Sequence, residues 1–265
     1  MNKKALCVGI NDYPYGDEND LKGCVNDAHD WSQLLKTHFG FTDVKVLLDA
    51  QATKSNILAG LKGLLDGAKA GDVLVFTNAS HGTYVADKDG DEPKYDEAIC
   101  PYDVDKNLII DDELRVLFAN LPKGVSLTVI SDSCHSGSVT RAVVEGTPDQ
   151  RRHRFLSPAL RGEKVLSAAE LKAAGKKKEK FPEEGMNEVL LSGCKSNQYS
   201  SDASINGKFH GAMSYYAIKA ITEANYKLTY EELRTALVPA LEDEGYDQAP
   251  QLEGKAAHKQ KQIFT

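Results

Sequence analysis

A cysteine and a histidine each follow an apolar stretch that is typical of a buried strand. Cys134 comes shortly after residues 125–130 and precedes a flexible Ser-Gly pair, and His81 comes shortly after residues 73–77. A thiol becomes a strong nucleophile when a neighbouring imidazole takes its proton. In an open α/β sheet, reactive groups gather where parallel strands end. The pattern therefore favours a Cys134–His81 pair that performs acyl transfer over two unrelated core residues.

Acyl transfer also needs hydrogen-bond donors for the negative charge that develops on the carbonyl oxygen. The backbone N–H groups of Gly82 and Cys134 are the natural candidates, and a glycine lets the backbone approach a substrate closely. His135 is a competing base. If residues 134 and 135 are extended, however, their side chains point to opposite sides, so His81 is the better candidate. For Cys134 alone, a buried and inert thiol is the competing interpretation.

Two short motifs resemble the catalytic motifs of metacaspases, a family of caspase-like cysteine peptidases. They are Ser-His-Gly at 80–82 and Asp-Ser-Cys-His-Ser-Gly at 132–137. His81 lies 53 residues before Cys134, and the caspase spacing is about 50 residues. Further segments resemble the family in the expected order, and they are residues 21–28, 111–114 and 192–195.

The resemblance runs over residues 4–142 and again over 187–252. It implies an α/β fold, a caspase-like three-layer sandwich with a mostly parallel central sheet covered by helices on both faces. Within one caspase-like domain, the chain is predicted to divide into three parts. These are a large catalytic subdomain (1–142), a basic insertion or processing loop (143–186) and a small subdomain (187–265).

The order of apolar segments independently predicts a parallel, helix-covered sheet, because strands alternate with helices. The predicted strands are 4–10, 44–48, 72–77, 125–130 and 188–191, with the tail from 248 returning as an edge strand. The predicted helices are 26–39, one from a Thr53 cap to about Gly71, 111–119, 166–174, 213–221 and one opened by a capping box at 229–232. The polar stretch 82–107 is predicted to be a loop.

Composition narrows the functional classes. The chain has 265 residues, 41% apolar content and a net charge of −7, which is enough for a full core and argues against general nucleic-acid binding. No apolar run approaches the roughly 20 residues that span a bilayer. The five cysteines are spread without a C-x-x-C pair, so neither a zinc site nor a disulfide framework is indicated. We expect a cytoplasmic, reducing environment.

The resemblance places acids in the pocket for the side chain that precedes the cleaved bond. These are Asp27 and Asp132, with Asp202 as a further candidate. Paired carboxylates favour a guanidinium or ammonium group, so we expect cleavage after Arg or Lys and not after Asp. For each aspartate alone, a helix or loop cap is the competing interpretation. Ala79 stands where the family often has a pocket serine, which leaves the substrate fit open.

Many metacaspases bind an activating calcium ion through four aspartates. Asp96, Asp111 and Asp112 match three of these positions, but Arg141 stands at the fourth. Calcium takes six to eight oxygen ligands, and a cation beside them weakens the site. We therefore expect weak or no calcium dependence and no cofactor for the chemistry itself.

Residues 140–185 are basic and are predicted to be exposed and mobile, where proteases cut readily. An enzyme that prefers Arg or Lys would cut itself here, and an upstream activating protease could do the same. The chain is then a zymogen. The candidate processing residues are Arg141, Arg151, Arg152, Arg154, Arg161, Lys176, Lys177 and Lys178. An ordinary solvated insertion is the competing interpretation.

Other functions fit the sequence less well. A cysteine phosphatase needs five residues between its cysteine and arginine, whereas Cys134 and Arg141 are separated by six. The serious alternative is a catalytically silent caspase-like scaffold that binds partners. The expected partners of the enzyme are protein or peptide substrates with Arg or Lys at the cleaved bond, and we expect a monomer.

Overall fold

The computed structural model describes residues 1–86, 95–134, 151–167, 183–195 and 198–265. In chain order its strands are β1 (Lys3–Gly9), β2 (Asp43–Leu48), β3 (Val73–Ala79), β4 (Gly82–Ala86), β5 (Tyr95–Ile99), β6 (Ile109–Ile110), β7 (Ser126–Asp132), β8 (Arg151–His153), β9 (Glu188–Ser192), β10 (Ser201–Ile205), β11 (Lys208–Gly211) and β12 (Gln251–Glu253). Its helices are α1 (Cys24–Phe39), α2 (Lys54–Leu65), α3 (Asp111–Ala119), α4 (Ala212–Glu223), α5 (Tyr230–Asp243) and α6 (Ala256–Lys259).

A six-stranded sheet in the order β12-β9-β7-β3-β1-β2 forms the centre of the molecule. Strands β2, β1, β3, β7 and β9 pair in parallel, and β12 closes one edge antiparallel to β9. The edge strand predicted for the tail is therefore confirmed at β12. Parallel strands joined through helices place the carboxyl ends of β3 and β7 at the same edge of the sheet.

Apolar side chains on the two faces of the sheet form two cores. All seven residues of β3 are buried. Val73 and Val75 contribute to one core, whereas Leu74 and Phe76 contribute to the other, because successive side chains of a strand point to opposite faces. Helices α1, α4 and α5 cover the first face, and α2 and α3 cover the second. The predicted three-layer α/β sandwich is confirmed.

Local signals in the sequence define several helix ends. Gly40 follows α1 with a φ of 72°, a conformation that glycine adopts without strain. The Thr53 side chain caps α2 by accepting a hydrogen bond from the Asn56 N–H. At the start of α5, Thr229 and Glu232 form the predicted capping box.

The predicted loop at 82–107 was wrong for residues 82–86 and 95–99. Strands β4 and β5 lie there and form an antiparallel three-stranded sheet with β6. Thr83-Tyr84-Val85 has the β-branched and aromatic residues of a strand, and Tyr84 is buried. The β10–β11 hairpin was also missed, although its Asn206-Gly207 turn, with positive φ at both residues, is a strong hairpin signal.

Two further predictions need correction. Helix α2 ends at Leu65 and not near Gly71. Residues 166 and 167 carry no helix, and the rest of the helix predicted to 174 lies outside the described residues, as does the predicted boundary at 142. Among the residues that the structure describes, no helix is long and apolar enough to cross a membrane.

Candidate active site

The sheet brings His81 and Cys134 to one edge. Strands β3 and β7 pair in register up to Ala79 and Asp132, and each candidate catalytic side chain lies two residues beyond its strand. Cys134 is fully buried, and its Sγ donates to the carbonyl oxygen of Ser200 at 3.4 Å. Two neighbouring strand ends therefore deliver a thiol and an imidazole to the same region.

The imidazole of His81 is oriented by fixed partners. Its Nε2 lies 2.7 Å from the carbonyl oxygen of Asn19. A carbonyl only accepts, so Nε2 carries the hydrogen, and the neutral ring has its free lone pair on Nδ1. Nδ1 is buried and has no hydrogen-bond partner among the described residues. Burial lowers the pKa of His81 to about 4, although the bond to Asn19 acts in the opposite direction. The ring is thus held neutral and able to accept a proton.

The predicted oxyanion donors converge on one oxygen atom. The backbone N–H groups of Gly82 and Cys134 each donate to the carbonyl oxygen of Arg154 at 3.0 Å. Arg154 also donates its own N–H to the Ser200 carbonyl oxygen at 2.9 Å, and the Leu156 N–H donates to the Gly82 carbonyl oxygen at 2.9 Å. The chain therefore passes through the site with the Arg154 carbonyl between the two donors.

The Arg154 side chain lies in a pocket of three carboxylates. Its Nη2 lies 2.6 Å from Asp27 Oδ2 and 2.9 Å from Asp202 Oδ1, and its Nη1 lies 3.4 Å from Asp132 Oδ2. Arg154 and Asp202 are fully buried, as is Asp132, and Asp27 is 1% exposed. Burial by itself would lower the pKa of Arg154, but the acidic groups around it raise that pKa well above its ordinary value. The guanidinium is held as a cation. Below, the three carboxylates of Asp27, Asp132 and Asp202 are called the acidic pocket.

Backbone and hydroxyl donors hold the carboxylates in place. The N–H and Oγ of Ser214 donate to Asp132 Oδ2 at 2.9 and 2.8 Å, and the Ser200 hydroxyl donates to Asp132 Oδ1. The Gly211 N–H donates to Asp27 Oδ2 at 2.9 Å. These donors satisfy the buried carboxylate oxygens. Burial raises the pKa of Asp27, although Arg154 beside it acts in the opposite direction.

The Gly23 N–H donates to Asp202 Oδ1 at 3.0 Å. Sequence reasoning missed Gly23, Ser200, Gly211 and Ser214. Ser200, Gly211 and Ser214 lie far along the chain from the catalytic motifs and carry no local signal of their own, whereas Gly23 belongs to the segment 21–28 that resembles the family. Gly211 also provides space, because a Cβ there would lie 2.2 Å from Asp132 Oδ2 and 2.5 Å from Arg154 Nη1.

The prediction that the whole basic insertion is exposed was wrong for residues 151–156. Arg151–His153 form β8, and both Arg154 and Leu156 are buried. The reason is that both terminal nitrogens of the guanidinium pair with carboxylates, so its burial is tolerated.

Other basic candidates lie elsewhere. Arg161 Nη1 donates to Thr83 Oγ1 at 3.0 Å, and its Nη2 lies 2.9 Å from Glu163 Oε2, so Arg161 binds outside the acidic pocket. Arg141, Lys176, Lys177, Lys178 and the alternative base His135 lie outside the described residues.

The candidate calcium ligands lie at β5 and at the start of α3. Asp111 Oδ2 is 3.2 Å from Arg115 Nη2, which already pairs one of its oxygens with a cation. Across the described ranges, no three side chains of the types His, Cys, Asp and Glu form a group that could hold a metal ion. The assignment of Asp96, Asp111 and Asp112 as calcium ligands stays a prediction. Weak or absent calcium dependence stays a prediction.

Cys194 is a second thiol beside the nucleophile. A hydrogen bond with the Cys134 thiol, together with burial, raises the pKa of Cys194 well above its ordinary value. Cys194 Sγ also donates to the Gln198 carbonyl oxygen at 3.3 Å. Because only the thiolate is strongly nucleophilic, Cys194 does not compete with Cys134.

The chain is similar to known cysteine peptidases. A family model for the metacaspase, peptidase C14 domain matches residues 3–142. Metacaspase-1 of Meyerozyma guilliermondii is 34% identical over 94% of this chain and 68% of the relative. Among solved structures, a protein from Geobacter sulfurreducens gives a TM-score of 0.75 at 26% identity, covering 100% of this chain and 99% of that chain. Caspase-1 from Spodoptera frugiperda gives 0.57 at 12% identity over 96% and 86%, which shows a common fold.

Proposed function

Because the chain belongs to the metacaspase family of cysteine peptidases, we propose that it hydrolyses peptide bonds after Arg or Lys. Cys134 is the nucleophile and His81 is the base in this proposal. One observation carries it: Arg154 of the chain itself lies in the site as a substrate residue would. Its side chain fills the acidic pocket, and its carbonyl oxygen accepts from both predicted oxyanion donors.

The first half of the reaction forms a thioester. His81 Nδ1 takes the Cys134 thiol proton, and the sulfur attacks the carbonyl carbon of the arginine. The oxygen gains negative charge, which the Gly82 and Cys134 N–H groups stabilise. The C–N bond to the next residue then breaks, and the imidazolium gives its proton to the leaving amine. In the second half, water loses a proton to His81 and hydrolyses the thioester, which restores the thiol.

The acidic pocket supports a preference for arginine over lysine. A guanidinium offers N–H donors in two directions, and here Nη2 reaches two carboxylates while Nη1 reaches the third. An ammonium group is a point charge on a flexible stem and cannot match this arrangement. An aspartate side chain would meet three like charges, so cleavage after Asp is disfavoured.

The position of Arg154 also supports synthesis as a zymogen. While residues 151–156 pass through the site, an external substrate cannot enter. Cleavage of the bond between Arg154 and Phe155 would release the segment and open the pocket. Self-cleavage fits this geometry best, and an upstream protease acting in the basic insertion is the other possible trigger.

Intact mass tests the proposal. Purified wild type and Cys134→Ala are compared after incubation with and without calcium. Wild type alone should yield fragments 1–154 and 155–265, with Phe155 as a new N-terminus. The difference in wild-type processing with and without calcium tests the predicted weak or absent calcium dependence. Identical processing of Cys134→Ala would refute self-cleavage.

A small substrate tests the activity in trans. Processed wild type should hydrolyse a fluorogenic arginyl amide faster than the lysyl amide and leave the aspartyl amide intact, and Cys134→Ala should hydrolyse none of them. A wild type that hydrolyses none would point to a silent scaffold.

A further inference from the structure

The residues around Arg154 contact surfaces that extend well beyond the acidic pocket. Strand β8 pairs antiparallel with β10, with Ser201 opposite His153 and Ala203 opposite Arg151. Adding a strand to a sheet edge is a common way to bind an extended peptide: backbone hydrogen bonds give affinity, and contacts to the side chains give specificity.

An aromatic wall receives the residues on either side of Arg154. The ring of His153 lies 4.2 Å from the ring of Tyr199, centroid to centroid. Phe155 lies 6.1 Å from Tyr199 and 6.0 Å from Tyr84. In an extended chain, residues two apart face the same side, so one tyrosine contacts both rings. Burial and the nearby Arg151 lower the pKa of His153, which favours the neutral ring for this contact.

Arg151, three residues before Arg154, lies on a second aromatic ring. Its guanidinium carbon is 4.1 Å from the centre of the Tyr246 ring, and its Nη1 donates to the Gly245 carbonyl oxygen at 3.0 Å. A flat guanidinium over a tyrosine face, with a carbonyl acceptor at its edge, is a specific arrangement for arginine.

Arg152 is bound by backbone oxygens. Its Nη1 donates to the carbonyl oxygen of Asp17 at 2.9 Å and to that of Asp20. These acceptors belong to the turn after β1, which also carries the side chains of Asp17, Glu18 and Asp20. The turn therefore offers a cation both acceptors and negative potential.

We infer that the enzyme selects polybasic segments of the form Arg-Arg-His-Arg, cut after the last arginine and followed by an aromatic residue. Tyr246 selects the first arginine, and Tyr199 selects the rings on both sides of the cleaved arginine. This inference rests on the proposed function and adds the substrate class to it. The substrates are thus basic, extended stretches of proteins. A substrate with a single arginine fills the acidic pocket but leaves the contacts made by residues 151–153 unused.

Internally quenched peptides test the inference without changing the enzyme. The parent Arg-Arg-His-Arg-Phe-Leu copies residues 151–156, and two analogues carry Ala at the first or at the third position. Processed wild type should show a kcat/KM for the parent roughly tenfold above the first analogue. The second analogue should fall by about two- to tenfold.

Enzyme variants test whether the preference for the first arginine of the peptide comes from the Tyr246 ring. In Tyr246→Leu, the parent-to-first-analogue ratio of kcat/KM should fall by roughly two- to fivefold, the range for a cation over an aromatic face. Tyr226→Leu is the matched control, because Tyr226 stacks on His38 at the opposite end of α1 from Asp27. Its ratio should equal that of wild type.

Each outcome discriminates. Equal kcat/KM for all three peptides in wild type would overturn the inference and leave cleavage after arginine intact. An equal loss of the ratio in Tyr226→Leu would overturn the assignment to Tyr246. No cleavage of the parent peptide by wild type would refute the proposed function along with the inference.

Discussion

Replacing Arg154 with Gln removes the cation and leaves three carboxylates in the acidic pocket. In the intact chain, Arg154 Nη2 contacts Asp27 and Asp202 within 2.9 Å. Removing one partner from a buried ion pair costs about 3–5 kcal/mol. In Arg154→Gln, residues 151–156 therefore leave the site in most molecules. A smaller fraction of the chains then holds the peptide bond after residue 154 between the two N–H donors and the Cys134 thiol. Each 1.4 kcal/mol corresponds to a tenfold change, so self-cleavage should slow by about 100-fold or more.

The assay is the first-order loss of intact chain, followed by mass spectrometry. Arg154→Lys keeps the charge but loses the fork of N–H donors, so an intermediate loss of about tenfold is expected. Arg161→Gln is the matched control. Its arginine is also largely buried but binds Thr83 and Glu163, so its rate should stay near that of wild type.

Ligand binding provides a second readout that does not depend on turnover. In the Cys134→Ala background, Arg154→Gln should vacate the acidic pocket. Millimolar agmatine, a small guanidinium compound, should then raise Tm, since a ligand that binds only the folded state stabilises it. The Cys134→Ala chain with Arg154 in place should not respond. Unchanged self-cleavage in Arg154→Gln at the same bond, or equal Tm responses, would refute the pocket assignment.

Three further predictions follow from the same geometry. In Gly211→Ala, the new methyl group takes the space of Arg154 Nη1, so cleavage after arginine should fall by at least about 100-fold. Gly63→Ala, where a Cβ meets nothing within 4 Å, should keep the wild-type rate, and equal rates for the two variants would contradict this reasoning. Second, the base must be neutral, and burial lowers the pKa of His81 from 6.5 to about 4. Single-turnover self-cleavage should therefore persist as pH falls to about 5 and be halved near 4, and a half-loss near 6.5 would contradict the buried, neutral ring. The same shift makes the free energy of unfolding rise with pH from about 4 to 6.5, because the unfolded state binds more protons there.

The acidic pocket shows how three buried carboxylates can be held without destabilising the fold. Three buried carboxylates repel one another, and their desolvation is costly. Donors from Gly211, Ser214 and the turn at 22–23 satisfy much of that cost. The arginine supplies the remaining compensation. A segment of the chain that carries such an arginine is therefore held firmly in the pocket.

Much of the fold follows from local signals. The apolar runs that became β1, β3 and β7 are buried on both faces, so they read as continuous hydrophobic stretches. The caps at Thr53 and Thr229 rest on side chains within three residues of the groups they bind. The β4–β6 sheet escaped prediction because its strands are short, β5 carries two charged residues, and consecutive strands are joined by longer segments rather than by a two-residue turn.

The sequence by itself determined the chemistry of the candidate site: a thiol and an imidazole at the ends of two strands, acids suited to a cation, and glycine beside the histidine. Only the tertiary structure decided which basic residue meets those acids. Arg151, Arg152, Arg154 and Arg161 are alike in composition and local context, and nothing in the order of residues ranks them. The pairing of β8 with β10 sets the register and places Arg154 between the two N–H donors. Strand register depends on contacts between residues far apart in the chain, so folding selects the residue that enters the pocket.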